Sequence, residues 1–137
     1  MSKATTKSNA TPVLNLGCDC RNGAGQRGNE KKVALARENI SRAGAANLVE
    51  VFHGDAFDFA NRFDKIAFCF SDIEPPELNA KIYEIIVPRL VPGGWIVVDN
   101  VTSPRIQTEL LKRAQTDSRV DSVLLPFPKG DLICRKC

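Results

Sequence analysis

Apolar residues fall along the chain in short blocks whose spacing switches between that of strands and that of helices. Val13-Leu14-Asn15-Leu16-Gly17 is a brief apolar run ending in glycine, the form of a buried strand entering a turn. Residues 18–28, CDCRNGAGQRG, carry no apolar period and predict a loop. Asn29 then offers a helix N-cap, and Val33, Ala36, Ile40 and Ala43 recur at helical spacing until Gly44 supplies a C-terminal stop. Leu48–His53 and Asp64–Phe70 read as the second and third strands, joined through Gly54-Asp55-Ala56. Pro75 and Pro76 open a helix with Leu78, Ile82, Ile85 and Ile86 on one face, and Pro92-Gly93-Gly94 turns the chain into a fourth strand, Trp95–Val98. Ser103 and Pro104 start a last helix with Ile106, Leu110 and Ala114 inward. Val120–Pro126 and Leu132–Cys137 flank Pro128-Lys129-Gly130-Asp131 as a closing hairpin.

Strands alternating with helices predict an α/β domain: an open, mostly parallel sheet covered on both faces, with an antiparallel pair at its end. If the first helix crosses directly to Leu48–His53, the strand order is 2-1-3-4-6-5 in order of occurrence.

At 137 residues the chain fits one domain, here residues 13–137 behind a flexible polar tail, residues 1–12. With 43% hydrophobic and 26% charged residues it is neither collagen-like, disordered nor a disulfide scaffold. No apolar run is long enough to span a membrane, and the tail has no apolar segment of the secretory type, so a cytoplasmic protein is expected. Residues 1–47 hold eight Lys/Arg against three Asp/Glu, a balance of +5, while the rest of the chain is net −2. A bias of that size reads as a solvated face, and no nucleic-acid partner is expected.

Ligands bind such sheets beyond the carboxyl ends of the parallel strands, where loops and helix N-termini converge. Those ends offer Gly17–Cys20, His53–Asp55, Ser71–Glu74 and Asp99–Asn100. Asp72 and Asp99 follow strands expected to be neighbours, so two carboxylates and the Asn100 amide oxygen form a hard-oxygen set suited to Mg²⁺ or Ca²⁺; the competing reading is that the acids cap the following turns. Cys18 and Cys20 with Cys134 and Cys137 have the spacing of a four-thiolate zinc site, but topology puts the pairs at opposite sheet ends, which favours inert thiols. Cys69 reads as core, and half-buried packing roles are expected for His53 and Trp95. Phe57 and Phe59 read as core before they read as walls of an adenine slot.

The segments VLNLGC, NEKKVALARENISRAGAANLVEVFHGDA, FDKIAFCFSD and IVPRLVPGGWIVVDNV, followed by DSRVDSVLLPFPKGDLICRKC, resemble in this order the class I S-adenosylmethionine-dependent methyltransferases. Among these they are most similar to the cation-dependent O-methyltransferases of the catechol and caffeoyl-CoA type. The resemblance implies a Rossmann-like, single three-layer domain that binds S-adenosylmethionine and methylates a small-molecule hydroxyl. It implies cofactor contacts from Gly17, Asp55, Ala56 and Asp72, a divalent cation on Asp72, Asp99 and Asn100, and catalytic parts for Asp72 and Asp99. The implied partners are the small-molecule substrate and, at most, a second copy of the chain in a homodimer. The chain departs from the family pattern in keeping one glycine, Gly17, in the cofactor loop and in placing Arg27 where an acid would hold the ribose. It also has Glu74 for a second aspartate and Pro75 for a lysine. Two functions therefore stand beside each other: a compact O-methyltransferase, and a catalytically inactive methyltransferase-like binding module that has lost its cofactor.

Overall fold

A computed structural model describes residues 11–18, 25–102 and 107–137 of the chain. Strand β1 (Val13–Cys18) leads to helix α1 (Gly25–Arg42), then to α2 (Ala56–Ala60) and β2 (Ile66–Ile73). A 3-10 turn (Pro76–Leu78) opens α3 (Asn79–Ile86), and a second (Val87–Arg89) feeds β3 (Leu90–Val98). Helix α4 (Gln107–Gln115) and the hairpin β4 (Val120–Leu125) and β5 (Asp131–Lys136) complete the fold. The sheet order is β1-β2-β3-β5-β4, with β1, β2 and β3 parallel and β5 antiparallel to β3 and β4. The open, mostly parallel, Rossmann-like sheet with its terminal antiparallel hairpin is the one expected.

Three of the expected elements need correction. Leu48–His53 is not a strand, so the predicted order loses its outermost member while the remaining five keep theirs. The cause is local competition. Arg37 on α1 donates to the Val51 carbonyl at 2.8 Å, and the Phe52 ring lies 4.5 Å from that of Phe59 and under the Arg62 guanidinium at 5.3 Å. These contacts draw the segment toward α1 and α2, leaving Leu48 81% exposed. Helix α1 begins at Gly25, four residues before the expected cap Asn29, although it ends as predicted, with Gly44 at φ +70°. Pro92-Gly93-Gly94 lies inside the nine-residue β3 and not before it. Gly94 is required there because a Cβ would meet the carbonyl oxygens of Val91 and Ala67 at 2.9 and 3.0 Å, where the β2–β3 register shifts. Ser103, Pro104 and Ile106 lie outside the described residues.

Alternation sorts the strands into two faces. Leu14, Cys69, Ile96, Cys134 and Ser122 form one lateral row of the first face, and Leu16, Ser71, Val98, Leu132 and Leu124 the next. Helices α2, α3 and α4 cover these rows, with Ile82, Tyr83 and Ile86 fully buried among them. Ser71 and Asn79 are joined at 2.8 Å under α3, and Ser122 donates to the Ala114 carbonyl of α4. Leu110 and Ala114 face inward as the helical period predicts.

The opposite face is different. Its rows run Val13, Phe68, Trp95, Arg135, Asp121 and then Asn15, Phe70, Val97, Ile133, Val123. None of these side chains belongs to the buried core, and Val13, Trp95 and Val123 are 69%, 42% and 51% exposed. Of the three layers expected, two are packed among the described residues. Helix α1 makes only isolated contacts with other elements, and no described side chain on it is buried. Trp95 is accordingly exposed, where a packing role was expected.

Candidate functional site

Strands β2 and β3 end side by side: the Asp99 amide donates to the Ser71 carbonyl at 2.9 Å. Ser71 turns into the core, so the next residue, Asp72, projects to the opposite side of the sheet. Gly17 of β1 pairs with Asp72 in the register, which brings three strand ends together. Asn100 follows in the left-handed region at φ 62°, a conformation that asparagine tolerates better than most residues. Its backbone N–H donates to Asp99 Oδ1 at 2.6 Å and its Nδ2 donates to Asp72 Oδ1 at 3.1 Å. Asn100 thus bridges the two acids that the sequence singled out.

The loop after Asn100 is stitched to the β4–β5 turn. Val101 N–H donates to the Gly130 carbonyl at 3.0 Å and Thr102 N–H to that of Lys129 at 2.8 Å. Gly130 has φ +66°, and any Cβ there would run into the Thr102 side chain. This closure sets Asp131 opposite Asp99. Burial first, then a hydrogen bond shared with the Asp99 carboxylate, pushes the Asp131 carboxyl above its ordinary range. Sequence reading missed Asp131 because it took the residue as the end of the hairpin turn, whereas it is the first residue of β5, in the antiparallel register that carries Leu132 opposite Val98. Among the described residues, no group of three or more His, Cys, Asp and Glu side chains is arranged to hold a metal ion.

Other candidates are placed elsewhere. Asp55 is the N-cap of α2, its Oδ1 accepting from Phe57 N–H at 2.7 Å and Asp58 N–H at 3.4 Å, and Ala56 is the first residue of that helix. Helix α2 packs on β1 from the covered face, and the hydrogen-bond partners of Asp55 among the described residues are amides of its own helix and not the Asp72 cluster. Phe57 and Phe59 pack against the core, as read. His53 is exposed, where half-burial was expected, because the segment that carries it never joins the sheet. Arg27 lies in the first turns of α1. Cys69 and Cys134 are buried and Cys137 exposed, with burial pushing the first two thiols up to about 12; Cys20 lies outside the described residues.

A parallel three-stranded unit extended by an antiparallel hairpin, with acids on the ends of its central strands, is the Rossmann-like arrangement that the resemblance to class I methyltransferases implied. The family described as Methyltransferase domain matches residues 5–101, and the chain belongs to it. An O-methyltransferase from Bacillus cereus solved in complex with SAH is 22% identical, with a TM-score of 0.69 over 95% of this chain and 64% of its own. A methyltransferase from Geobacter sulfurreducens is 19% identical, with a TM-score of 0.65 over 76% of this chain and 52% of its own. An SAH-bound methyltransferase from Podospora anserina is 19% identical, with a TM-score of 0.68 over 91% and 71%. The chain thus spans about half to two thirds of the length of the first two structures. No curated protein matches it. No helix among the described residues is long and apolar enough to cross a membrane.

Proposed function

We propose that the chain is an S-adenosylmethionine-dependent O-methyltransferase acting on a small-molecule hydroxyl. Membership of the methyltransferase family supports the transfer chemistry, and the fold shared with an O-methyltransferase in complex with SAH supports the cofactor. The observation that carries the reading is the Asn100 bridge between Asp72 and Asp99 at the strand ends.

The donors fit a hard divalent cation such as Mg²⁺: two carboxylates and an amide oxygen on adjoining strand ends. Asp72, Asp99 and Asn100 would hold it, and its chemistry there is to lower the pKa of a substrate hydroxyl. Gly17 leaves β1 without a side chain beside Asp72, where a cofactor could approach, and Asp55 and Ala56 would contact its adenine. A substrate hydroxyl oriented there would attack the methyl group of S-adenosylmethionine in line and give up its proton to solvent, with S-adenosylhomocysteine as the leaving group. The carboxylates of Asp72 and Asp99 would orient the cation and, through it, the hydroxyl, and the 2.6 Å bond from the Asn100 N–H fixes Asp99 in place.

One observation favours the second reading, a module without cofactor. Asp55 Oδ1 is already committed to two backbone N–H groups of α2, which accounts for the residue without a ligand. Isothermal titration with S-adenosylmethionine and S-adenosylhomocysteine, with and without Mg²⁺, separates the two. The enzyme reading expects binding that Asp72→Asn weakens about tenfold or more, the scale of one charge-assisted hydrogen bond. A folded sample that binds neither compound establishes the second.

A further inference from the structure

The β4–β5 turn lies against the loop that carries Asn100, and the proposed chemistry gives it no part. We infer that this turn, Lys129-Gly130, is a positioning element of the site: it holds the loop after β3 so that Asn100 stands between Asp72 and Asp99, and Gly130 is the residue that permits its approach. The inference rests on the reading of those three side chains as holders of a cation.

Among the described residues, glycines apart, Asn100 alone has a positive φ, 62°. A residue with a Cβ stays in that region only where its surroundings hold it. Its two backbone torsions are set by the peptide planes on either side. The plane before it is held by its own N–H, which donates to Asp99 Oδ1 at 2.6 Å, one residue after the Asp99 N–H has bonded to the Ser71 carbonyl of β2. The plane after it ends in the Val101 N–H, which donates to the Gly130 carbonyl at 3.0 Å, and the Thr102 N–H follows with the Lys129 carbonyl at 2.8 Å. Strands β2 and β3 therefore fix one side of Asn100, and the hairpin turn, remote in sequence, fixes the other. Rotating Asn100 out of the left-handed region would swing its Nδ2 away from Asp72 Oδ1, 3.1 Å distant, and break both hairpin bonds. Val101 is buried between the two, so the loop cannot lift without exposing it.

The turn reaches this loop because β5 pairs with β3, with Leu132 opposite Val98, the residue before Asp99. Its shape is fixed by the Gly130 N–H, which donates to the Phe127 carbonyl at 3.0 Å, and by φ +66° at Gly130. A side chain at 130 has no room, since a Cβ would meet Thr102 Oγ1 at 2.8 Å and Thr102 Cβ at 2.9 Å. Glycine serves twice here: it takes the left-handed turn, and it lets two backbones come within hydrogen-bonding distance.

Amide hydrogen exchange and Mn²⁺ uptake on the full chain test the inference, Mn²⁺ standing in for Mg²⁺ on hard oxygen donors. Without metal, the Asn100, Val101 and Thr102 amides of the wild type should exchange about a hundredfold or more slower than unstructured ones. Gly130→Ala should lower that protection about tenfold and weaken Mn²⁺ binding, followed by electron paramagnetic resonance of the free ion, by a similar factor. Ile86→Val, which trims a fully buried side chain of α3 away from the turn, should destabilise the fold comparably and leave Mn²⁺ affinity within about twofold. Unprotected Asn100 and Val101 amides in the wild type would overturn the inference, and that measurement stands even if Gly130→Ala does not fold. So would a folded Gly130→Ala with exchange and Mn²⁺ affinity unchanged, or an equal loss of affinity in Ile86→Val, which would make the turn a support of the fold alone. A wild type that takes up no Mn²⁺ refutes the cation reading instead, and the exchange comparison then decides the role of the turn.

Discussion

The two faces of the one sheet carry similar apolar side chains and treat them in opposite ways. Ile96 is fully buried beneath the helices, whereas Val97, its neighbour in β3, points to the other side and stays partly exposed. A strand that is apolar on both sides normally means burial on both. Here the covered face has three short helices held by the connections between β1 and β4, while among the described residues no helix packs on the other face. Burial is thus decided by where the helices land and not by the strands' own sequence.

The sharpest way to break this contrast is a pair of truncations in adjacent residues. Ile96→Ala should cost about 3 kcal/mol by chemical denaturation at low protein concentration, through lost burial and the cavity left behind. Val97→Ala should cost less than about 1 kcal/mol under the same conditions. Equal losses would mean that the second face is covered after all.

Next in size is the polar anchor under the covered face. Asp117 is buried, accepts from the Tyr83 hydroxyl at 3.0 Å and pairs with Arg119 at 2.6 Å. The Arg119 hydrogen bond holds its carboxyl well below the usual carboxylate range. A depressed folded-state pKa stabilises above the unfolded-state value and ceases to as pH falls toward the folded one. Asp117→Asn should therefore destabilise by about 2–3 kcal/mol near neutral pH. The melting-temperature gap from wild type should narrow below about pH 4, and a gap that widens there would contradict the pairing.

A smaller effect is expected where the hairpin closes on the site. Gly130→Ala adds a Cβ that meets the Thr102 side chain at a left-handed φ of +66°, and should cost about 1–2 kcal/mol. Adding Thr102→Ala should restore part of that loss, since it removes the clash but not the backbone strain. No recovery in thermal melts would place the whole cost in the backbone.

The mildest test is chemical. Cys69 and Cys134 lie on the covered face with burial raising their thiols to about 12, so they should resist iodoacetamide at about pH 8 in the folded protein. Cys137 should react readily, with peptide mapping as the readout. Fast labelling of Cys134 would show that the helix layer over β5 is loose.

The reading of the site divides in the same way as the faces. Asp72, Asp99 and Asn100 were legible because each ends a strand whose apolar run is plain, and strand ends converge in a parallel sheet. Asp131 was not, because its approach to Asp99 depends on a hairpin register and on the fit of Gly130 against Thr102. Asp55 was read as a ligand to a cofactor, and its observed partners are the first amides of α2.

What the sequence by itself determined is the local part of the fold: five strands in their order, the inward stripes of α3 and α4, the glycine stop after α1 and the closing hairpin. These follow from periods of two and 3.6 residues and from turn residues acting within a few positions. Whether Leu48–His53 pairs, whether the second face is covered and which acids meet were decided by tertiary structure. A strand exists only when another strand supplies its hydrogen bonds, and an apolar face is buried only when a second layer reaches it. In Leu48–His53 the contacts of Val51 with Arg37 and of Phe52 with Phe59 and Arg62 prevail over pairing with β1, a competition settled by side-chain packing that the apolar pattern does not record.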